Sequence, residues 1–330
     1  MIADDSRLRT FQLKFLPACL VALIGALCFA LAFPPLDLWP LSFIAVAPLA
    51  WVAINAASTR GAMAAVFLTQ FLMWLWLNLW MANVTMAGYP VLGLYMSIYP
   101  ALFAWIVRRV SRSAMLRNLP FTIVVPTVWT GLEILRGEFA FNGYPWYLLA
   151  HPLINWLAFA QSADIIGTYG LSFLAAMCSG AIVGIAIVWR SEFSFKRMTA
   201  AIACLVAVFA VNLAYGAWRL AQHSTLSPGP SILAIQTNLP QDNKIGWSPN
   251  DQVEDFLEFC ELTIEAHHQA AARGEKVDLI AWPETMLPGF GLEPETLAYL
   301  VEGHYDPGDG FARGIEALRK RVGVPILVGS

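Results

Sequence analysis

Residues 15–33 read FLPACLVALIGALCFALAF, an apolar run without a charge. About 20 such residues in a helix cross the hydrocarbon core of a bilayer. Six more apolar stretches, near 39–57, 62–82, 90–107, 119–135, 166–189 and 198–218, reach or approach that length. The expectation is a seven-span transmembrane domain over residues 1–220. Composition agrees: of 330 residues 58% are apolar and 13% charged, where a soluble domain carries about 25% charged residues. The first run follows Arg7, Arg9 and Lys14 and could pass for a signal peptide. Leu27 before Cys28 does not suit lipoprotein-type cleavage, so the run is read as a retained anchor.

The short loops give the orientation, because basic residues stay on the cytoplasmic side. The N-terminus, Arg60, the cluster Arg108, Arg109, Arg112 and Arg117, and the cluster Arg190, Lys196 and Arg197 are basic. The loops around Pro34 to Asp37 and Asn83 to Tyr89 contain no Lys or Arg. Seven spans from a cytoplasmic N-terminus leave residue 219 outside, which in a bacterium is the periplasmic side of the inner membrane. The apolar stretch 144–163 is not counted as a span, since it would place one strongly basic loop on the wrong side. With Pro145, His151, Pro152 and Asn155 inside it, the region near 136–165 reads as an interfacial arm.

Charge divides the chain. Residues 1–225 hold 13 Lys/Arg against 7 Asp/Glu, and residues 226–330 hold 7 against 16. The acidic part lacks the basic clusters that replace counterions on phosphate, which excludes a nucleic-acid partner. The five cysteines form no CxxC pair and no His stands at metal-ligand spacing, so neither a disulfide framework nor a metal or organic cofactor is expected.

The stretch HSTLSPGP (223–230) marks a linker, placed at 221–230. Beyond it, residues 231–238 read as a strand. A helix capped by Asn250 or Asp251 runs to about Ala272, with Val253, Phe256, Leu257, Cys260 and Ile264 on its core face. A second strand, 278–282, ends at Pro283 and delivers Glu284 at its carboxyl end. A helix near 309–322 and a strand over 324–328 complete a β-α-β-α-β order, which implies an α/β sheet. About 105 residues with three strands are few for a complete catalytic α/β domain, so the expectation is a domain incomplete at its C-terminus.

Glu284 lies in Trp282-Pro283-Glu284-Thr285. A carboxylate just past a buried strand suits general-base work, and the same position equally suits a Glu that caps a turn or pairs with a nearby Lys. Arg136, at the outer end of the fifth stretch, fits either an i, i+3 ion pair with Glu133 or a contact to a lipid phosphate. Trp146 fits either an aromatic belt or the wall of a lipid entry path.

The order of a strand with QTNLPQ (236–241), an amphipathic helix and DLIAWPET (278–285) resembles the start of a nitrilase-type domain. The membrane block, with FPPLDLWP (33–40) and LRGEFAFNGYPW (135–146), resembles bacterial apolipoprotein N-acyltransferases. The resemblance covers nearly the whole chain. It implies a multi-span α-helical membrane bundle joined to an α/β nitrilase-like domain, an αββα sandwich, of which 231–330 would be the N-terminal part. It also implies transfer of an acyl chain from a phospholipid to the α-amino group of an S-diacylglyceryl-cysteine on an apolipoprotein, through a thioester acyl-enzyme. The family's set is a Glu, a Lys and a Cys, and Glu284 matches the Glu. Neither Cys260 nor Lys276, both ahead of Glu284, fits the other two roles, which leaves a chain expected to be inactive alone. Trp247 resembles a family Trp that follows Pro-Gln and a Lys, with Ile245 and Gly246 intervening here; it would hold an acyl chain or simply pack. A non-catalytic homologue that binds lipid or lipoprotein, and a membrane-tethered nitrilase-like amidase, are the alternatives.

Overall fold

The computed structural model describes residues 12–116, 118–188, 195–222, 227–238, 247–284, 286–289, 291–304 and 309–329. The chain forms two compact units, Met1–His223 and Ser224–Ser330, each described by itself.

The first unit is helical: α1 Phe15–Ala32, α2 Ala47–Asn55, α3 Thr59–Leu77, α4 Gly88–Arg112, α5 Phe121–Ile134, the short α6 Leu157–Ala160, α7 Ala163–Val188 and α8 Phe195–Ala221. Among the described residues five helical stretches are long and apolar enough to cross a membrane: Phe15–Ala32, Thr59–Leu77, Gly88–Arg112, Ala163–Ile187 and Met198–Ala221. The apolar run at 39–57 divides into a 3-10 turn, Trp39–Phe43, and α2. Proline explains the division, since Pro40 and Pro48 each stand in a first helical turn, where a missing N–H costs nothing. The run at 119–135 becomes the 14-residue α5, prolonged by a π turn over Leu135–Phe139. In α7, Gly167 takes φ +66 and kinks the helix near its start.

Small residues let these helices approach. A Cβ on Gly25 would stand 2.8 Å from the Ala45 carbonyl oxygen, and one on Gly180 would collide with the Phe121 backbone. α8 packs Phe209 on Phe43 and Phe159 and is tied by polar contacts: Asn212 donates to the Phe159 carbonyl at 3.1 Å and bonds Ser162, while Tyr215 and Arg219 both reach Asp164.

Arg108 is buried within α4 rather than in the basic loop that follows it. Its Nη1 donates to the Ala53 carbonyl at 2.9 Å, its Nη2 to Ala56 at 2.8 Å, and its Nε to the Thr59 hydroxyl at 3.2 Å. These carbonyls belong to the C-terminal end of α2 and the turn after it, where backbone acceptors lack helical partners and a cation is favoured. The same turn is closed by Leu13, whose N–H donates to Asn55 and whose carbonyl accepts from Ala57.

The second unit is built on a small parallel sheet in the order β1 (Ile232–Ala234), β2 (Leu279–Ala281), β3 (Ile326–Leu327). Ile232 pairs with Leu279 and Ile280 with Ile326. The connections are α9 Pro249–Ala272 and, between β2 and β3, α10 Pro294–Glu302 and α11 Gly310–Val322. One face of the sheet is covered: Ile235, Ile280 and Trp282 pack with Phe256, Phe259, Phe311, Ile315 and Leu318. The other carries Ile232, Ala234 and Leu327, all exposed.

α9 starts at a Ser248 N-cap, two or three residues ahead of the expected Asn250 or Asp251. Asp251 instead answers it in a capping box: the Ser248 hydroxyl accepts from Asp251 N–H, and the Asp251 carboxylate accepts from Ser248 N–H. The buried face of α9 runs through Phe256, Phe259 and Thr263 with Cys260 and Ile264 at its margin, while Val253 and Leu257 are exposed. The expected face is thus rotated, because Phe259 and Thr263 meet the Trp282 ring and its N–H.

Replacing Arg108 by Leu strands two buried carbonyls, each costing about 1–3 kcal/mol. We expect Arg108→Leu to lower unfolding stability in mixed micelles by about 2–6 kcal/mol and Arg108→Lys to retain part of it, measured by denaturant titration; an unchanged midpoint contradicts this role.

Candidate functional site

The segment after α5 is anchored on all sides. Arg136, 3% exposed, donates Nη1 to the carbonyls of Tyr144 and Trp146 at 2.9 and 2.7 Å and lies over the Trp74 ring at 5.7 Å. In return the Arg136 carbonyl accepts from Tyr144 N–H. Glu133, buried, accepts from Trp129 Nε1 at 2.9 Å and from Leu149 N–H at 2.8 Å. Arg136 therefore ties the end of α5 to Tyr144 and Trp146, and Glu133 ties it to Leu149 as well as to Trp129. Arg136 acts here as an internal brace.

The braced segment is sharply turned, with φ positive at Phe141, Asn142, Gly143 and Tyr147. A Cβ on Gly143 would run into the Gly137 carbonyl, so this turn requires glycine. Leu148, Leu149, Ala150, Leu153 and Phe159 are buried. Within the region expected as an arm, these residues pack into the unit's core while Phe139, Phe141, Trp146, Ile154 and Leu157 are exposed.

These contacts present Trp146 and Tyr147 to a cavity of about 560 Å³. It is also lined by the start of FPPLDLWP: Phe33, Pro34, Pro35 and Asp37. Trp146 is half exposed and stacks on Tyr144, with Trp80 beside it. Tyr147 is fixed by its hydroxyl, which donates to the Leu77 carbonyl at 2.6 Å. Polar groups sit at the rim: Asn155 donates to Asp37 at 3.1 Å, and His151 lines the same space. His151 Nδ1 accepts from Leu148 N–H at 3.3 Å. Partial desolvation, with the Arg136 charge in second place, holds the His151 pKa below its ordinary value. Sequence reading gave neither His151 nor Asp37 a role in a site. The available signal was Asp37 inside FPPLDLWP.

In the second unit Glu284 lies just past β2, the central strand, in a turn, with its side chain exposed. The carboxyl ends of all three strands gather there. Ile235 N–H donates to the Ala281 carbonyl, Trp282 N–H to Leu327, and the N–H groups of Met286 and Leu287 both to Gly329. The Trp282 indole donates to the Thr263 hydroxyl at 3.0 Å, fixing the residue two before Glu284. In open α/β sheets ligands bind beyond such carboxyl ends.

Trp247 precedes the cap of α9. Its Nε1 donates to Asp255 at 2.8 Å and its carbonyl accepts from Gln252. Lys244, Ile245 and Gly246, on which the spacing argument turned, lie outside the described residues, as do Leu239 to Gln241. Lys276 is paired with Asp278 at 2.6 Å ahead of β2. Cys260 is half-buried beside the aromatic core of its unit, and burial pushes its thiol up to about 11. Among the described residues no three His, Cys, Asp or Glu side chains form a metal-holding group.

Residues 25–181 match the family model described as the apolipoprotein N-acyltransferase N-terminal domain. The chain is 29% identical over 314 residues to an apolipoprotein N-acyltransferase of Geobacter metallireducens, covering 91% of this chain and 57% of that protein. It is 26% identical over 324 residues to the Haemophilus influenzae protein of the same name, covering 94% and 55%. A 209-residue match to the Shewanella oneidensis protein reaches 31% identity, covering 60% and 34%. The chain thus spans little more than half the length of the first two.

The Cys260 environment has a measurable consequence. The raised pKa means that the folded state favours the thiol, a preference fully present below about pH 9 and lost as pH rises toward 11. With the other four cysteines replaced by Ala, iodoacetamide labelling of Cys260 should rise to half its maximum near pH 11. Labelling with a midpoint near the ordinary thiol value of about 8.5 contradicts this placement.

Proposed function

Because the chain is related to the apolipoprotein N-acyltransferases, we propose that it works in the transfer of an acyl chain from a phospholipid to the α-amino group of a diacylglyceryl-modified apolipoprotein. The observation that carries the reading is a convergence. Four residues of FPPLDLWP, namely Phe33, Pro34, Pro35 and Asp37, and Trp146 of GYPW, separated by some hundred residues, line one cavity in the unit that matches the family's N-terminal domain. The cavity has aromatic and proline walls with a few polar groups at one rim. That combination suits an amphiphile with an apolar chain and a polar head.

In this reading the first unit spans the inner membrane seven times. Its N-terminus is cytoplasmic, as the basic loops favour, and the sheet unit lies on the periplasmic side. The sheet unit is the first part of a nitrilase-like αββα sandwich. Its uncovered apolar face supports this, since parallel sheets are normally packed on both faces.

Glu284 is the general base. It takes the proton of a cysteine thiol, and the thiolate attacks the phospholipid ester carbonyl. Collapse of the tetrahedral intermediate breaks the ester C–O bond, forms the thioester, and releases the lysophospholipid, whose alkoxide takes the proton from Glu284. The lipoprotein amine then attacks the thioester, the C–S bond breaks, and the amine's proton returns through Glu284 to the sulfur. A lysine beside the intermediate stabilises its oxyanion. Neither Cys260, packed and protonated, nor Lys276, tied to Asp278, is assigned these roles. Trp146 forms the wall of the donor cavity, and Arg136 positions Trp146 through its carbonyl. Trp247, held by Asp255, remains a candidate acyl contact.

The test uses the protein extracted from its native membrane, a phospholipid labelled in its acyl chain and a diacylglyceryl-cysteine peptide. Loss of a general base costs about 10²–10⁴ in rate, so Glu284→Gln should lower amide formation by at least about a hundredfold with an unchanged circular dichroism spectrum. Activity within about twofold of the parent would remove Glu284 from this role and the reading with it.

A further inference from the structure

Tyr147 lines both the cavity of about 560 Å³ and a smaller one of about 20 Å³. No other described residue is common to the two linings. Phe29, Trp74, Met96, Trp129 and Leu132, all buried, surround the smaller space. Glu133 and Arg136 complete it, with their hydrogen bonds directed to the Trp129 indole and to the backbone at Tyr144, Trp146 and Leu149. The space is thus mainly aromatic and aliphatic, and at about 20 Å³ it has room for roughly one water.

The Tyr147 ring is held between the two. It meets Phe33, which lines only the larger cavity, edge-on at 5.2 Å, and Trp74, which lines only the smaller one, at 6.1 Å. Its hydroxyl donates to the Leu77 carbonyl at 2.6 Å. Its backbone stands at φ +55, in the turn that Arg136 and Glu133 tie down on either side. A hydrocarbon chain lying in the larger cavity therefore reaches the apolar space behind it only by way of a fixed ring. One methylene too many in an apolar pocket costs about 10–200-fold, so a wall that cannot retreat imposes a sharp upper limit.

We propose that Tyr147 is the stop that limits the length of acyl chain the larger cavity accepts. The terminal methyl of the chain lies against the ring, and fatty acyl groups that would extend past it are rejected. The inference rests on the donor reading of that cavity and adds to it the residue that selects the chain.

The experiment feeds cells fatty acids from lauroyl to arachidoyl length, each with a diazirine at its terminal carbon, so that their own phospholipids carry the probe. The full chain is photolabelled in the membrane and the labelled residues are mapped by mass spectrometry. In the parent, label should fall on Phe33, Trp146 and Tyr147 and not on Met96, Trp129 or Leu132. Glycine takes a positive φ freely, so Tyr147→Gly removes the ring and keeps the turn. In this variant the longer chains should label Met96, Trp129 or Leu132, and the ratio of long to short chains captured should rise about fourfold for each further methylene buried. Tyr147→Phe keeps the ring and should label as the parent does. Label behind the ring in the parent or in Tyr147→Phe overturns the proposal, as does a folded Tyr147→Gly protein with the parent's pattern and chain preference. If Tyr147→Gly does not fold, Tyr147→Leu decides by the same two readouts. No label on Phe33 or Trp146 of the parent at any chain length would refute the donor reading itself, and this inference with it.

Discussion

Within a bilayer every buried polar group has to find its partner inside the protein, because no water is there to supply one. Three charged side chains of the first unit show how this constraint shapes the fold. Arg108 spends its guanidinium on the end of α2 and the turn into α3. Glu133 binds the Leu149 N–H and the Trp129 indole, and Arg136 binds the carbonyls on either side of Pro145. None of the three faces lipid. Each converts the cost of a buried charge into the position of a loop.

The loop fixed by Glu133 and Arg136 is the one that forms the cavity. Four positive-φ residues in 141–147 would relax in an untethered chain. Held at Tyr144, Trp146 and Leu149, the segment keeps Trp146 and Tyr147 in the cavity lining together with Phe33, Pro34 and Pro35. The indole and phenol rings add aromatic packing along that wall, from Phe33 against Tyr147 to Trp80 against Trp146. The architecture therefore runs from a solvent constraint, through side-chain to backbone hydrogen bonds, to a rigid concave surface. In the second unit the corresponding device is simpler. Three short parallel strands gather their carboxyl ends, and the 286–287 backbone is pinned to Gly329 beside Glu284.

Much of this was legible in the sequence. Uninterrupted apolar runs announce themselves, so α1, α3, α4, α7 and α8 fall on stretches read as spans, and the alternation of strand and helix after residue 231 gives the sheet. What sequence spacing could not supply was long-range partnership. Arg108 reads as the first of a basic loop until its acceptors, more than fifty positions earlier, are seen. Arg136 reads as an ion-pair partner three residues from Glu133, because helical spacing brings such pairs to mind and says nothing of carbonyls in the following turn. His151 gives no hint of a shared cavity because Asp37 reaches the same space from more than a hundred positions earlier. Helix periodicity placed Cys260 near the core but rotated the buried face of α9, since nothing local shows that Phe259 and Thr263 would meet Trp282.

The account rests on the cavity at Trp146 receiving the acyl chain of a phospholipid. The direct measurement is photolabelling in native membranes with a phospholipid carrying a diazirine in its acyl chain, followed by mapping of labelled peptides by mass spectrometry. The account predicts concentrated labelling of the segments 33–37 and 146–155, which line the cavity together, and its loss when excess unlabelled phospholipid competes. Label spread evenly along the outer faces of the helices, with both segments unmarked, would contradict it.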